Sequence, residues 1–349
     1  MRTSLCLLAG FALVAACGEE PTEPTQLATT EIASPAAAVA SNSWIIRKDM
    51  WSTERRDLTV TTVTNAAGHS IVYVIGGRTT AGASLGKVMA YDATANTWTT
   101  KASLPWSLWG MNQAAVLKGK IYVSGGCHFI ACVYNGPSSA LYVYDLATDT
   151  WSRKAEMPGI RDAYGELLFS GMFGPTGVIA GQLYTLSSCH YGDAPYFYDC
   201  YDPAMLFYRY NPVTDRWTNL PSPKYSYRYG GVIGKKFYAV GDHVEVYDPA
   251  HNQWTTKRDP TSAPSFGGGA TEMLSRIYVA GGVGYDSVGN WVGLRSLWMY
   301  DPAVGDWTRR ANLPTGRYGV AAAKVFINGQ PRMEVVGGLR PGNNLQYVP

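Results

Sequence analysis

The chain has 349 residues, of which 46% are hydrophobic, 13% aromatic and 16% charged, with 38 Gly, 20 Pro and a formal net charge of +3. So low a charged fraction excludes a disordered tail, a coiled coil and a solvated helical bundle. The near-neutral balance, with no basic stripe, leaves no footprint for nucleic acid, and the length admits one large all-β domain or two smaller ones.

Arg2 precedes an apolar run from Leu5 to Ala16, too short to span a bilayer and the right size for the core of a secretory leader. The run ends in Val14-Ala15-Ala16-Cys17, which resembles the lipobox of bacterial lipoproteins. That resemblance implies cleavage before Cys17 and a diacylglycerol on its thiol; an ordinary secretory leader with a chance cysteine is the alternative. Gly18-Glu19-Glu20-Pro21-Thr22-Glu23-Pro24-Thr25 follows and reads as an extended tether. The expected organisation is a signal peptide over 1–16, a lipidated cysteine and tether over 17–42, and a folded domain over 43–349. The expected location is outside the cytoplasm, on an outer membrane or cell surface, with the lipid as the only membrane contact.

A period of about fifty residues governs the rest, and periods of that size mean repeat architectures. Six times a β-branched or aromatic run ends in a Gly pair or its equivalent, followed by a Tyr and, seven positions on, a Trp. The sets are Gly76-Gly77, Tyr91, Trp98; Gly125-Gly126, Tyr144, Trp151; Ser187-Ser188, Tyr210, Trp217; Gly241-Asp242, Tyr247, Trp254; and Gly281-Gly282, Tyr300, Trp307. The sixth, Gly337-Gly338 and Tyr347, has no Trp after it, while an unmatched Trp44 stands near the start in the same local pattern. The N-terminal segment is therefore expected to complete the last repeat.

A Gly doublet with spaced Tyr and Trp resembles the kelch repeat. The resemblance implies an all-β fold, a six-bladed β-propeller of four-stranded blades, its ring closed by pairing the chain ends. From Trp44 to Pro349 each repeat has 51 residues, the kelch period. The residues fit this reading physically: Ile71-Val72-Tyr73-Val74-Ile75 and Ile277-Tyr278-Val279-Ala280 are continuously apolar, as strands covered on both faces must be. Each Tyr and Trp can bury roughly 150–250 Å² between blades, so Trp98→Ala is expected to cost about 3–5 kcal/mol. Ser187-Ser188 and Asp242 break the Gly pattern and predict local distortion in blades 3 and 4. Asn96, Asp149, Asp215 and Asn252, each five after its Tyr, read as turn residues in preference to calcium ligands.

Loop lengths separate two faces. From the Gly-pair position to the Tyr the spacing is 14, 18, 22, 5, 18 and 9 residues, whereas Tyr to Trp is always 7. The variable face is the expected binding face. Its aromatics include Phe129, Tyr134, Tyr191, Tyr196, Phe197, Tyr198, Tyr201, Tyr285 and Trp291, which can stack on sugars, anchor a peptide or simply cover the rim. Where the innermost strand begins, an aromatic precedes Gly at Trp109, Tyr164, Tyr229, Phe266 and Tyr318, and Arg55, Arg161, Arg228 and Arg317 stand close by. In animal kelch domains that capture acidic peptides, arginines at the start of the innermost strand do the binding, and these positions resemble that use. The expected ligand residues are Arg55, Arg161, Arg228, Arg317, Trp109, Tyr191, Tyr198 and Trp291, since Arg forks suit carboxylates; pairing of each Arg with a local Asp or Glu is the bland alternative.

Beyond Cys6 and Cys17, the cysteines are Cys127, Cys132, Cys189 and Cys200, all in two variable loops. An even set in an exported chain implies disulfides. Cys127 with Cys132 and Cys189 with Cys200 is the simplest pairing, cross-pairing is open, and Cys127-His128 and Cys189-His190 could instead supply metal ligands. No metal or cofactor is expected.

Three functions remain. The first is binding of a glycan or protein, possibly acidic, without catalysis. The second follows from resemblance to bacterial six-bladed kelch proteins that mutarotate sialic acid; it would place Glu166 with Arg161, Arg228 and Arg317 as catalytic candidates, with no spacing that prefers Glu166 to Glu272 or Asp162. The third, from resemblance to the propeller of galactose oxidase, would need copper on two Tyr and two His, and this chain offers only His69, His128, His190, His243 and His251.

Overall fold

The structure, a computed structural model, describes residues 40–50, 55–128, 138–161, 167–169, 171–188, 190–191, 198–199, 205–338 and 344–349; at 160–161, 167–169, 188, 190–191 and 198–199 it describes the backbone alone. Within the compact unit Val39–Pro349 six antiparallel four-stranded sheets form the blades of a β-propeller. From the innermost strand outward, blade 1 is Thr59–Thr64, Ser70–Ile75, Val88–Asp92 and Thr97–Lys101. Blade 2 is Ala115–Leu117, Lys120–Ser124, Leu141–Asp145 and Thr150–Lys154. Blade 3 is Thr176–Ile179, Gln182–Ser188, Met205–Asn211 and Arg216–Leu220. Blade 4 is Tyr229–Ile233, Lys236–Val240, Val244–Asp248 and Gln253–Thr256. Blade 5 is Gly268–Met273, Arg276–Gly281, Leu297–Asp301 and Asp306–Arg309. Blade 6 takes Val320–Ile327, Gln330–Gly337 and Leu345–Val348 from the C-terminus and Ser43–Ile46 from the other end of the chain. Trp44 lies opposite Tyr347 in that last pairing.

The core is divided by seam. One apolar cluster joins blades 1 and 2 through Ile75, Val88, Ile121 and Val123, another joins blades 6 and 1 through Val72, Val74, Val325 and Val336, and four more fill the remaining seams. Apolar runs on the second and third strands are needed because both faces of those strands meet a neighbouring blade.

The Tyr of each repeat is fully buried and faces its Trp across the two outer strands, from Tyr91 opposite Trp98 to Tyr300 opposite Trp307. The Trp rings sit further out than interblade burial would place them: of the six, Trp307 is buried and Trp44, Trp98, Trp151, Trp217 and Trp254 are partly covered. The indole N–H of each reaches the preceding blade instead. Trp98 donates to the Lys48 carbonyl at 3.1 Å, Trp151 to Ala102 at 2.8 Å, Trp217 to Ala155 at 2.7 Å and Trp44 to Ala311 at 2.8 Å.

The turn residues share in that contact. Asn42, Asn96, Asp149, Asp215 and Asn252 all hold a left-handed φ near 50–56°, a conformation Asn and Asp tolerate better than other side chains. Asn96 Oδ1 accepts from the Tyr91 hydroxyl at 2.7 Å and from the Lys48 N–H of the preceding blade at 2.8 Å. Asp149 does the same with Tyr144 and Ala102, Asp215 with Tyr210 and Ala155, and Asn42 with Tyr347 and Ala311. These side chains thus bolt neighbouring blades together as well as shaping their turns.

Blade 3 replaces the Gly pair with Ser187, whose hydroxyl accepts from the buried Asn112 amide of blade 2 at 2.9 Å. The room comes from Gly171, where a Cβ would stand 2.0 Å from Ser187 Oγ. Blade 4, with only Gly241–His243 between its second and third strands, has the shortest loop on its rim.

Candidate ligand site on the loop face

Strand direction puts the connections between second and third strands, and those between blades, at one end of the central channel. Here the chain backbone must pass closely: at Gly77, with φ 95°, a Cβ would lie 2.8 Å from the Arg56 carbonyl and 2.9 Å from Leu58 Cβ, so only glycine fits.

The expected arginines divide into two kinds. Arg55 and Arg317 are 3% and 2% exposed. The Arg55 guanidinium donates to the Gly76 carbonyl at 2.5 Å and to that of Lys87, while its own carbonyl accepts from Gly338. Burial pulls its pKa down to about 10, which leaves it charged at neutral pH. Arg317 donates to the Gly337 carbonyl at 3.4 Å and to Thr315 Oγ1 at 3.3 Å, and burial again lowers its pKa, with Asp49 opposing. Buried guanidiniums must find acceptors, and these two find them in the loop backbones, so they brace the rim rather than line an open surface. Arg228 is exposed; it lines the channel mouth, a cavity of about 90 Å³ shared with Leu58, Met111, Phe173 and Tyr229. Arg161 lies opposite Leu167 in a two-stranded ribbon, and its side chain, like Asp162, Tyr164 and Glu166, lies outside the described residues.

Beside Arg228 stands an aromatic wall. The hairpin Val283–Tyr285 with Trp291–Gly293 rises from blade 5, leaving Tyr285 64% and Trp291 48% exposed. Trp291 meets Phe266 and Tyr318 edge-on, with ring centroids 5.7 and 6.5 Å apart, and the Arg228 guanidinium lies 5.7 Å from the Phe266 centroid. Tyr191 and Tyr198 are register partners in a second short ribbon; their side chains, and Phe129, Tyr134, Tyr196, Phe197 and Tyr201, lie outside the described residues.

Trp109 anchors a group that sequence reasoning missed. The Arg78 guanidinium stacks 3.8 Å above its ring and also donates to Asp57 Oδ2 at 2.6 Å, while Arg56 lies 3.5 Å from the same carboxylate. Two cations therefore share one anion. Around them Arg55 Nη1, Arg56 Nε and Trp109 Nε1, together with the Ser84 hydroxyl, are buried without a hydrogen-bond partner. Three N–H donors and a hydroxyl unmatched on one rim call for acceptors. The only signal in the sequence was Arg78 directly after a Gly pair.

Cys127 is disulfide-bonded and buried, and Cys132, Cys189 and Cys200 lie outside the described residues, as does Cys17. Among the described histidines, His69 pairs with Asp92, His243 with Asp259 and His251 with Asp248. Among the described residues no group of three His, Cys, Asp or Glu could hold a metal ion.

Known proteins share this pattern. The Kelch motif family model matches residues 62–105 and 111–158, the ranges of blades 1 and 2. The chain carries kelch motifs on a six-bladed β-propeller. It is 27% identical over 245 residues to Kelch-like protein terF of Aspergillus terreus, covering 66% of this chain and 50% of that protein. To Kelch-like protein 36 of Mus musculus it is 26% identical over 269 residues, 77% of this chain and 34% of the relative, and to Beta-scruin of Limulus polyphemus 21% over 252 residues, 67% and 25%. The chain thus spans half or less of the length of these relatives. Among solved structures it is similar to one described as "Structure of YjhT", with a TM-score of 0.60 and 17% identity, covering 86% of this chain and 95% of that one.

Proposed function

We propose that the loop face of this kelch propeller binds an acidic segment of a protein partner, without catalysis. The observation that carries this reading is the surplus of unmatched donors on the rim of blades 1 and 2, where Arg56 and Arg78 share Asp57 and Trp109 Nε1 has no acceptor. Carboxylates supply what is missing: each takes two parallel N–H bonds from a guanidinium. Arg228 and the Phe266–Trp291–Tyr318 wall would hold the apolar part of the same segment, aromatic and Arg side chains being the usual anchors of such contacts. A glycan stacked on Trp291 is the alternative ligand. We further propose that the propeller is exported and tethered through lipidated Cys17, with Cys127–Cys132 and Cys189–Cys200 disulfides stiffening the two longest loops.

The test is a titration of the full chain with a fluorescent Glu-rich peptide, with Arg78→Ala and Arg228→Ala compared with the parent. Binding that weakens at least about tenfold in each variant and falls with salt supports the reading. Equal affinity in the double variant removes it. Metabolic labelling with a palmitate analogue tests the tether, since label retained on Cys17→Ser would exclude that anchor.

A further inference from the structure

The central channel has two chambers. Gln113, just ahead of the innermost strand of blade 2, sends its amide 3.4 Å to the Ala270 carbonyl on blade 5, and Gln113 borders both the loop-side mouth and a second cavity. That second cavity, about 240 Å³, is framed by the innermost strands of five blades and by Gln113 and Ala114 just ahead of that of blade 2. It extends further along those strands, to Thr62, Val232, Glu272 and Lys324, and so lies toward the end bearing the short hairpin turns.

Its wall is richer in polar side chains than the mouth. Thr61, Thr62, Thr176, Thr271, Glu272 and Lys324 line it. Lys324 Nζ donates to Glu272 Oε2 at 2.8 Å, and both side chains keep part of their surface open, 36% and 25%. Glu272 Oε1 accepts from the Ser275 N–H at 3.1 Å. The Thr62 hydroxyl is buried and has no partner. An ammonium has three donors and a carboxylate about four acceptor sites, so the ion pair leaves both donors and acceptors free while cancelling its own charge. The volume corresponds to about eight waters at about 30 Å³ each.

We propose that this chamber binds a small, uncharged polyhydroxy molecule, a polyol or monosaccharide, bridging Glu272 and Lys324 and satisfying Thr62. Hydroxyl groups donate and accept at once, which is what a neutral wall of mixed donors and acceptors rewards. A charged ligand would have to break the Lys324–Glu272 pair, and an aromatic one finds no ring to stack on among the residues that line the cavity.

The experiment is saturation-transfer NMR on the full chain with myo-inositol and with D-glucose, repeated on Thr62→Val and on the charge-balanced pair Glu272→Gln with Lys324→Met. The expected result is saturable transfer in the millimolar range, weakened at least about tenfold in both variants while their melting temperatures stay near the parent value. Thr62→Val keeps the side-chain shape, so its fold is expected to survive. No saturable transfer to either probe, or transfer of equal strength in both variants, would mean that the chamber holds water alone and would overturn the proposal.

Discussion

Trp254 Nε1 donates to the Pro221 carbonyl at 2.7 Å, the contact that in other seams is half of a two-way bolt. Lys48, Ala102, Ala155 and Ala311 each accept from a Trp and return an N–H to an Asn or Asp of the next blade. Pro221 has no N–H to return. Asn252 keeps its bond from the Tyr247 hydroxyl at 2.6 Å but gains none from blade 3 through that position. The blade 4 to 5 seam is also rearranged, with Trp307 donating to Gly241 at 3.3 Å and Asp306 accepting from Thr261 at 3.0 Å.

The difference between seams can be measured. Asn96 and Asn252 have nearly the same backbone, φ 56° and 53°, so replacing each by Gly removes the side chain without backbone strain. Asn96→Gly should destabilise about 1–2 kcal/mol more than Asn252→Gly, the worth of the extra interblade bond and the N–H it leaves unmatched. Urea unfolding of the two variants checks this; equal losses would show that the bolt contributes nothing.

Trp98→Ala should cost about 2–3 kcal/mol, less than a fully buried indole would. The ring is partly covered, packs on Tyr91 with centroids 4.8 Å apart and donates one hydrogen bond. Tyr91, fully buried in the 6–1 seam, should cost more than Trp98 when cut to Ala, and thermal melts of the two variants give the order.

Glu334 predicts a pH dependence. Its carboxyl is fully buried on the second strand of blade 6, where Oε1 accepts from the Gln346 amide at 2.5 Å and Oε2 has no partner. Burial pushes its pKa up from 4.5 to about 7, with Gln346 and Arg47 pulling the other way. The folded state therefore prefers the protonated acid, and the stability this adds is complete below pH 4.5 and lost as pH rises through about 7. Glu334→Gln should gain up to about 3 kcal/mol over the parent at pH 8 and nothing at pH 4.5. A gain that is the same at both values would contradict the assignment.

Truncation tests the closing strand. Deleting residues 1–39 takes away none of the described contacts, whereas deletion through Ile46 removes the outermost strand of blade 6 together with the Trp44–Ala311 and Asn42–Tyr347 bonds and should abolish the cooperative melting that the shorter truncation keeps. Calorimetry on the two truncations separates these outcomes.

The fold was legible because its signals are periodic: Tyr, Trp and Gly recur at fixed intervals, and the Trp absent after Tyr347 reappears as Trp44. The site was less so, since an Arg two residues before a Gly, or before Asp57 at the matching position, looks the same whether it opens to solvent, as Arg228 does, or turns inward to carbonyls, as Arg55 and Arg317 do. That choice depends on backbone acceptors supplied by loops far along the chain. Asn96 and its equivalents looked like turn formers because turn chemistry is local, while the second bond of Asn96 crosses to Lys48, 48 positions away. The sharing of Asp57 by Arg56 and Arg78 was hidden for the same reason.

Asn42 is the most N-terminal of the described residues that bolt two blades, held by the Tyr347 hydroxyl and the Ala311 N–H. A force that pulls on Asn42 enters the ring at the one blade assembled from two separate stretches of chain. The first bonds to bear it are the pair at Asn42, so such a force would strain the ring at its fastening before it strained any blade built from continuous chain.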